Sequence, residues 1–461
     1  IVRRTMEASG KIHEALFEMD DAAEMYRRLV AEGERRSDRA MQISGANKLA
    51  FIKGVFFGEV EDALAELAAT ETMAEEETYD EGLVEACVAN CYIRSAFADF
   101  DMVEHYMKKV AGLGESLGLI EPTLFGMSHF ANTLVYLTRF DEGLIQAEKT
   151  LAKAEEHGHL KYQAEMLTYA IPVCHLRNGD VASALAALER GMEISLQIGD
   201  RATEAFAAVM QGKIALNRGE FDEAVASHKR ARIAADATGI PYIRAVGACT
   251  SGTCFRRIGG PLMDRAKSLH DETLELMEMP TGKVHGAWIW SEIGQCALQS
   301  GDQEKAEHLF RLALDEHTAT MWLLRPTALA GLVELSLERD DLDAALDAFV
   351  ELKEYVTSRK MLDHYIDVEL LGARIAARQG LYDKALADSE RTKKIASSQN
   401  LLRILIDVHL LQIGIHRDRG DLEAAAIAAQ DARRVATDIE AGIRSEELRT
   451  AFASEMATRL G

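Results

Sequence analysis

A forty-residue period runs through this chain and limits its fold more than any other feature. The string Gly219-Glu220-Phe221-Asp222-Glu223-Ala224 recurs as Gly58-Glu59-Val60-Glu61-Asp62-Ala63, Gly179-Asp180-Val181-Ala182-Ser183-Ala184, Gly301-Asp302-Gln303-Glu304-Lys305-Ala306, Gly380-Leu381-Tyr382-Asp383-Lys384-Ala385 and Gly420-Asp421-Leu422-Glu423-Ala424-Ala425. Weaker copies fill the gaps. The column of Ala224 therefore reads Ala22, Ala63, Val103, Gly143, Ala184, Ala224, Ala266, Ala306, Ala345, Ala385 and Ala425, at spacings of 39 to 42 residues. A chain so built is a stack of equivalent supersecondary units, each of which buries its apolar face only against its neighbours.

Each part of the repeated string has a mechanical role. Glycine takes the left-handed conformation that ends one helix. Asp or Glu next to it caps or favours the positive end of the following helix, and the small residue lets that helix approach its partner. A second glycine series, Gly118, Gly158, Gly199 and Gly239, ends the second helix of a unit. Subtracting two turns from the period leaves helices of roughly 17 residues. Nothing alternates with period two, so no strand is expected. Seven residues before the turn glycine lies a small-residue column, Gly10, Cys91, Ala131, Gly212, Gly252, Gly294 and Ala373. Two residues beyond it the chain is apolar, with Lys53 and Thr133 as exceptions.

Small residue, apolar residue, turn glycine, acidic cap and a second small residue is the order of tetratricopeptide (TPR) helical hairpins, which this sequence resembles over essentially its whole length. The resemblance implies an all-α fold: a right-handed superhelical solenoid of eleven hairpins over residues 1–442, closed by a capping helix at 443–461. The longer period, the Ala-rich composition and Ser116-Leu117-Gly118 at a helix end are similar to the superhelical regions of bacterial signalling proteins. These are the signal-transduction ATPases of the maltose-operon activator type and the TPR regions of class III adenylate cyclases. The segment Ser445-Glu446-Glu447-Leu448-Arg449-Thr450-Ala451-Phe452 is similar to their final helix. The resemblance implies a catalytic or ATPase domain upstream of Ile1 and a sensor or scaffold role for the repeats. An inducer-binding domain of an ATP-dependent transcription activator is the alternative.

Composition narrows the function. The net charge is −23 in 461 residues, which opposes a phosphate backbone or an anionic membrane surface. No apolar run reaches membrane-spanning length. The six cysteines form neither a CxxC pair nor a dense framework, which fits reduced thiols in a cytoplasm. No phosphate-cradling loop, HExxH or GxSxG occurs, so neither an enzyme nor a metal or cofactor site is expected. His228 and His270 share a second-helix column with Tyr26, Met107 and Phe310 and read as packing residues. Cys87 and Cys91, four apart on one helical face, read the same way. Pro172 falls inside a first helix and predicts a kink.

If first helices line the concave face, the residues one and five after the small column point into it. These include Tyr92, Asn132, Arg177, Lys213, Arg257, Gln295, Gln299, Arg374 and Arg378, the candidate groove. In repeats five to eight these two columns supply Arg177, Lys213 and Arg257 and no acid. The expected partner is therefore a protein or peptide, acidic in character, or an anionic effector. Trp288, Trp290 and Trp322 form an alternative contact patch.

Overall fold

The computed structural model describes residues 2–16, 18–96, 99–279, 285–315 and 325–460, and among them the regular structure is helical throughout. Helices alternate as expected. Arg201–Arg218 packs antiparallel on Phe221–Thr238, Pro241–Ile258 on Met263–Met277, and Leu402–Arg419 on Leu422–Gly442. First helices also contact the first helices of adjacent hairpins, as when Arg201–Arg218 meets Pro241–Ile258, so they form an inner layer. Trp322 lies outside the described residues.

The backbone explains the period. All ten glycines of the two turn series have φ between 66° and 82°. Among the described residues, the non-glycine positions with positive φ are Ser37, Thr78, Thr138, Asp340, Lys360 and Asn400, and each falls in register with one of the series. The geometry of the turn is thus retained where glycine is not. Capping is more selective than the acidic pattern suggests. Asp180, Asp302, Asp341 and Asp421 accept the amide three residues on at 3.0–3.1 Å, whereas Glu59 and Glu220 make no such bond. The shorter aspartate side chain can position its oxygen over the first turn, although Asp99 in the same register pairs with Arg94 and makes no cap bond.

The small-residue column is a socket for second-helix rings. A Cβ on Gly212 would stand 2.8 Å from the His228 ring, one on Gly252 2.5 Å from His270, and one on Gly294 2.7 Å from Phe310. Both histidines are buried in these slots. Desolvation pushes each down to about 4, so they are neutral packing groups. All six cysteines are buried free thiols, and burial raises Cys87 to about 12.

Two first helices contain π-helical turns. Lys53–Phe57 follows Arg39–Ile52, and Lys53 is one of the two exceptions in the apolar column. Met166–Ala170 separates Leu160–Glu165 from Ile171–Arg177, placing Pro172 in the first turn of the resumed helix. A wider turn just ahead of a proline accommodates its ring and its missing N–H. The expected kink is therefore met by a π turn.

The chain forms two compact units, one of residues 1–137 and 142–162 and the other of residues 138–141 and 163–461. In the first, Tyr26, Leu29, Ile43, Leu67 and Ile93 are fully buried between hairpins. The second unit departs from nearest-neighbour stacking. Arg201–Arg218 touches Leu402–Arg419, and the closing helix Glu446–Leu460 packs on Pro241–Ile258 and on the 3₁₀ turn Gly260–Leu262. One apolar cluster joins Leu216, Phe221 and Phe255 to Ile406, Ile439 and Phe452. The Asp222 carboxylate accepts the backbone amides of Arg444 at 2.6 Å and Ser445 at 3.1 Å, and Glu455 accepts that of Gly260 at 3.1 Å. Ile439 occupies the space beside Gly219, where a Cβ would lie 2.8 Å from it. The inner faces of early and late repeats in this unit are thereby brought opposite each other.

Candidate binding cavity

Closure of the second unit leaves two cavities between its first helices. One of about 740 Å³ is lined by Gln295, Gln299, Arg374 and Arg378, together with Glu334, Glu338 and Asp418. The other, of about 350 Å³, is lined by Lys213, Arg257 and Gln295, with Glu292, Asp363 and Trp288. Arg256, Gln295, Glu334, Asp367, Leu370 and Asp407 line both, so the two are contiguous. Seven of the nine groove candidates thus belong to this unit, and six of those line the cavities. Arg177, the seventh, is 5% exposed and pairs with Asp363 on the first turn of Leu362–Arg378.

The cavity is mixed in charge, where the two sequence columns alone gave a basic stretch. Acids enter from other columns and other repeats. Asp363 pairs with Arg177, and Glu292 accepts from Arg256 and from the Thr253 hydroxyl, each at 3.1 Å. Asp407 pairs with Arg403 at 3.0 Å and Arg459 at 2.6 Å, and Glu334 pairs with Arg374 at 2.9 Å. Burial alone would raise Asp363. The Arg177 guanidinium, His364 and Lys213 together outweigh this and hold the carboxyl at about 2. Arg257 donates to Asn217 at 2.6 Å, and Arg378 pairs with Asp340.

Tyr92 and Asn132 belong to the first unit. Tyr92 is 41% exposed and meets the rings of Phe51 at 5.5 Å, Phe125 at 5.6 Å and His129 at 5.7 Å. Asn132 is buried. Of the tryptophans, Trp290 is buried in an apolar cluster while Trp288 faces the smaller cavity. The two inward columns of the sequence include Glu334, Glu338 and Asp418, which line the larger cavity, but not Asp363 and Glu292. Asp363 stands in a helix's first turn and Glu292 two residues before the small column, and neither register was taken to face inward. Among the described residues, His13, Glu18 and Asp21 of the first unit form a group whose ligand atoms lie within 4.8 Å of one another.

Neither a family model nor a curated protein matches the chain. Solved structures do. A Rap protein complexed with Competence and Sporulation Factor superposes with a TM-score of 0.56 at 12% identity, covering 78% of this chain and 99% of that one. A tetratricopeptide repeat protein from Parabacteroides merdae matches at 18% identity with a TM-score of 0.33, covering 64% and 99%. The human IFIT1 dimer with m7Gppp-AAAA matches at 14% identity with a TM-score of 0.44, covering 86% and 90%. The chain is an all-α helical-repeat protein of TPR-like fold. No described helix is long and apolar enough to cross a membrane.

Proposed function

We propose that this chain is a noncatalytic, cytoplasmic sensor or scaffold region that receives a protein segment or peptide between the first helices of its second unit and regulates an attached signalling domain, a cyclase or an ATPase. The observation that carries the reading is the pair of contiguous cavities lined by inward-facing side chains of successive repeats. Their mixed lining suits a chain segment bearing both signs of charge. The solved complex of the similarly folded Rap protein with Competence and Sporulation Factor supports the use of such an array in recognition. Because late repeats close onto early ones, an occupant that parts them changes the contacts of the closing helix, which gives binding a mechanical output. The smaller cavity is also of a size that takes a drug-sized molecule, and this favours a small-molecule inducer as the second reading.

Gly414 lines the larger cavity, and nothing lies within 4 Å of a Cβ built there. Gly414→Trp is therefore expected to fill the cavity and abolish partner-dependent control of the attached domain, while Ile233→Trp on the exposed outer surface leaves it intact. Unchanged control in Gly414→Trp would contradict the reading.

A further inference from the structure

The smaller cavity combines two kinds of lining. Val209, Trp288, Leu371 and Ile404 make it apolar in part, and Lys213 brings a cation. The charged neighbours of Lys213 each have another partner among the described residues, and of their buried polar atoms Oδ1 of Asp363 alone is left without a hydrogen bond. Arg177 holds Asp363, Arg257 donates to Asn217, and Glu292 is taken by Arg256 and Thr253. Lys213 itself makes no hydrogen bond or ion pair with a described residue. It reaches the cavity's water, yet the surrounding helices desolvate it. That desolvation, reinforced by Arg177 and Arg257 and opposed by Asp363 and Glu292, lowers its pKa. An ammonium held this way gains from any anion delivered with good geometry. The rest of the lining limits what can deliver it. Around the smaller cavity the carboxylates of Glu292, Glu334, Asp363, Asp367 and Asp407 outnumber the cations Lys213, Arg256 and Arg257, so a polyanion would be repelled, whereas a single carboxylate beside an apolar group can be placed at Lys213 against the Trp288 wall.

We propose that Lys213 is the anchor for a free carboxylate group of the ligand, with the adjoining apolar group seated against Trp288, Leu371 and Ile404. This rests on the reading of the cavities as the binding site. A peptide's C-terminal carboxylate and a small branched carboxylic acid share this chemistry, and the experiment separates them.

The test uses the 461-residue chain and three probes: hexapeptides ending in Leu with a free C-terminus, the same peptides amidated, and 4-methylpentanoate. Affinity selection with mass spectrometry and thermal shift are the readouts. The free-acid peptides are expected to be retained and to raise Tm, with the amidated set at least about tenfold weaker. Lys213→Met and Lys213→Gln are expected to lose that discrimination, and Lys213→Arg to keep it. If 4-methylpentanoate alone raises Tm and competes the peptides away, the source is a small acid. Equal binding of amidated peptides, or unchanged discrimination in both neutral variants, overturns the anchor and leaves the cavity reading standing. If no probe binds at millimolar concentration, the anchor and the peptide reading fall together.

Discussion

The rings of Phe221 and Phe452 meet edge to face with centroids 5.2 Å apart and planes at 69°, joining the sixth repeat to the closing helix. Both are fully buried, and they share one apolar cluster with Phe255, Ile406 and Ile439. An array held only by nearest neighbours would not feel the loss of its last helix five repeats away. This one does. Phe452→Ala is expected to cost about 3 kcal/mol and to raise amide exchange in Arg201–Arg218 and Pro241–Ile258 as well as in Glu446–Leu460. Exchange confined to the last helix would show that the closure carries no energy.

The turn columns give a second prediction. Ser37 and Lys360 are exposed and hold φ of 53° and 51°, where an L side chain is strained. Ser37→Gly and Lys360→Gly are each expected to stabilise the protein by roughly 0.5–1 kcal/mol in urea titrations. Asn400→Gly, at the same geometry, should gain less, because asparagine tolerates this region. Gly118→Ala should destabilise by about 1 kcal/mol although the space beside it is open. Gly219→Ala should cost more, since Ile439 fills that space.

The buried histidines set a pH dependence. His228 and His270 titrate at about 4 in the folded chain and near 6.5 unfolded. Between these values the unfolded state binds more protons, so their contribution to stability is present above about 6.5 and is lost as the pH falls toward 4. His228→Phe, which copies Phe310 of the same column, should keep neutral-pH stability and remove about 2 kcal/mol of that loss. Denaturation midpoints at pH 7 and pH 4.5 check it.

At Asp363 the sign is the usual carboxylate one. Its folded value of about 2 lies below the unfolded value near 3.9. The unfolded chain therefore binds more protons in that interval, and stability falls as the pH drops from about 4 to 2. In Arg177→Met the desolvated carboxyl loses its main partner and should titrate above its ordinary value, moving the loss to higher pH. Carboxyl carbon NMR of Asp363 reads the shift directly, and an unmoved resonance would deny the pairing.

The local architecture was largely legible in the sequence because each hairpin solves the same packing problem. Turn glycines, capping aspartates and the glycine sockets for His228, His270 and Phe310 repeat with the period and can be read from it. Two kinds of feature escaped. The positive-φ turns at Thr138 and Lys360 carry no residue that announces them, and the π turn before Pro172 is a backbone response to a local constraint. The contacts of Phe452 with Phe221, and of Arg177 with Asp363, are aperiodic and follow from how far the inner layer curves, which small per-repeat rotations determine. For that reason the inward cations were visible in their columns while Asp363 and Glu292, which balance them, were not.

The central claim, that the inner face of the second unit receives a partner, is tested most directly by site-specific photo-crosslinking in cells with benzoylphenylalanine at Gln299 inside the cavity and at Ile233 on the exposed surface. The account predicts a discrete adduct of a peptide, protein segment or small effector from position 299 and none from position 233. An adduct from position 233 alone, or none from position 299 across growth conditions, would contradict it.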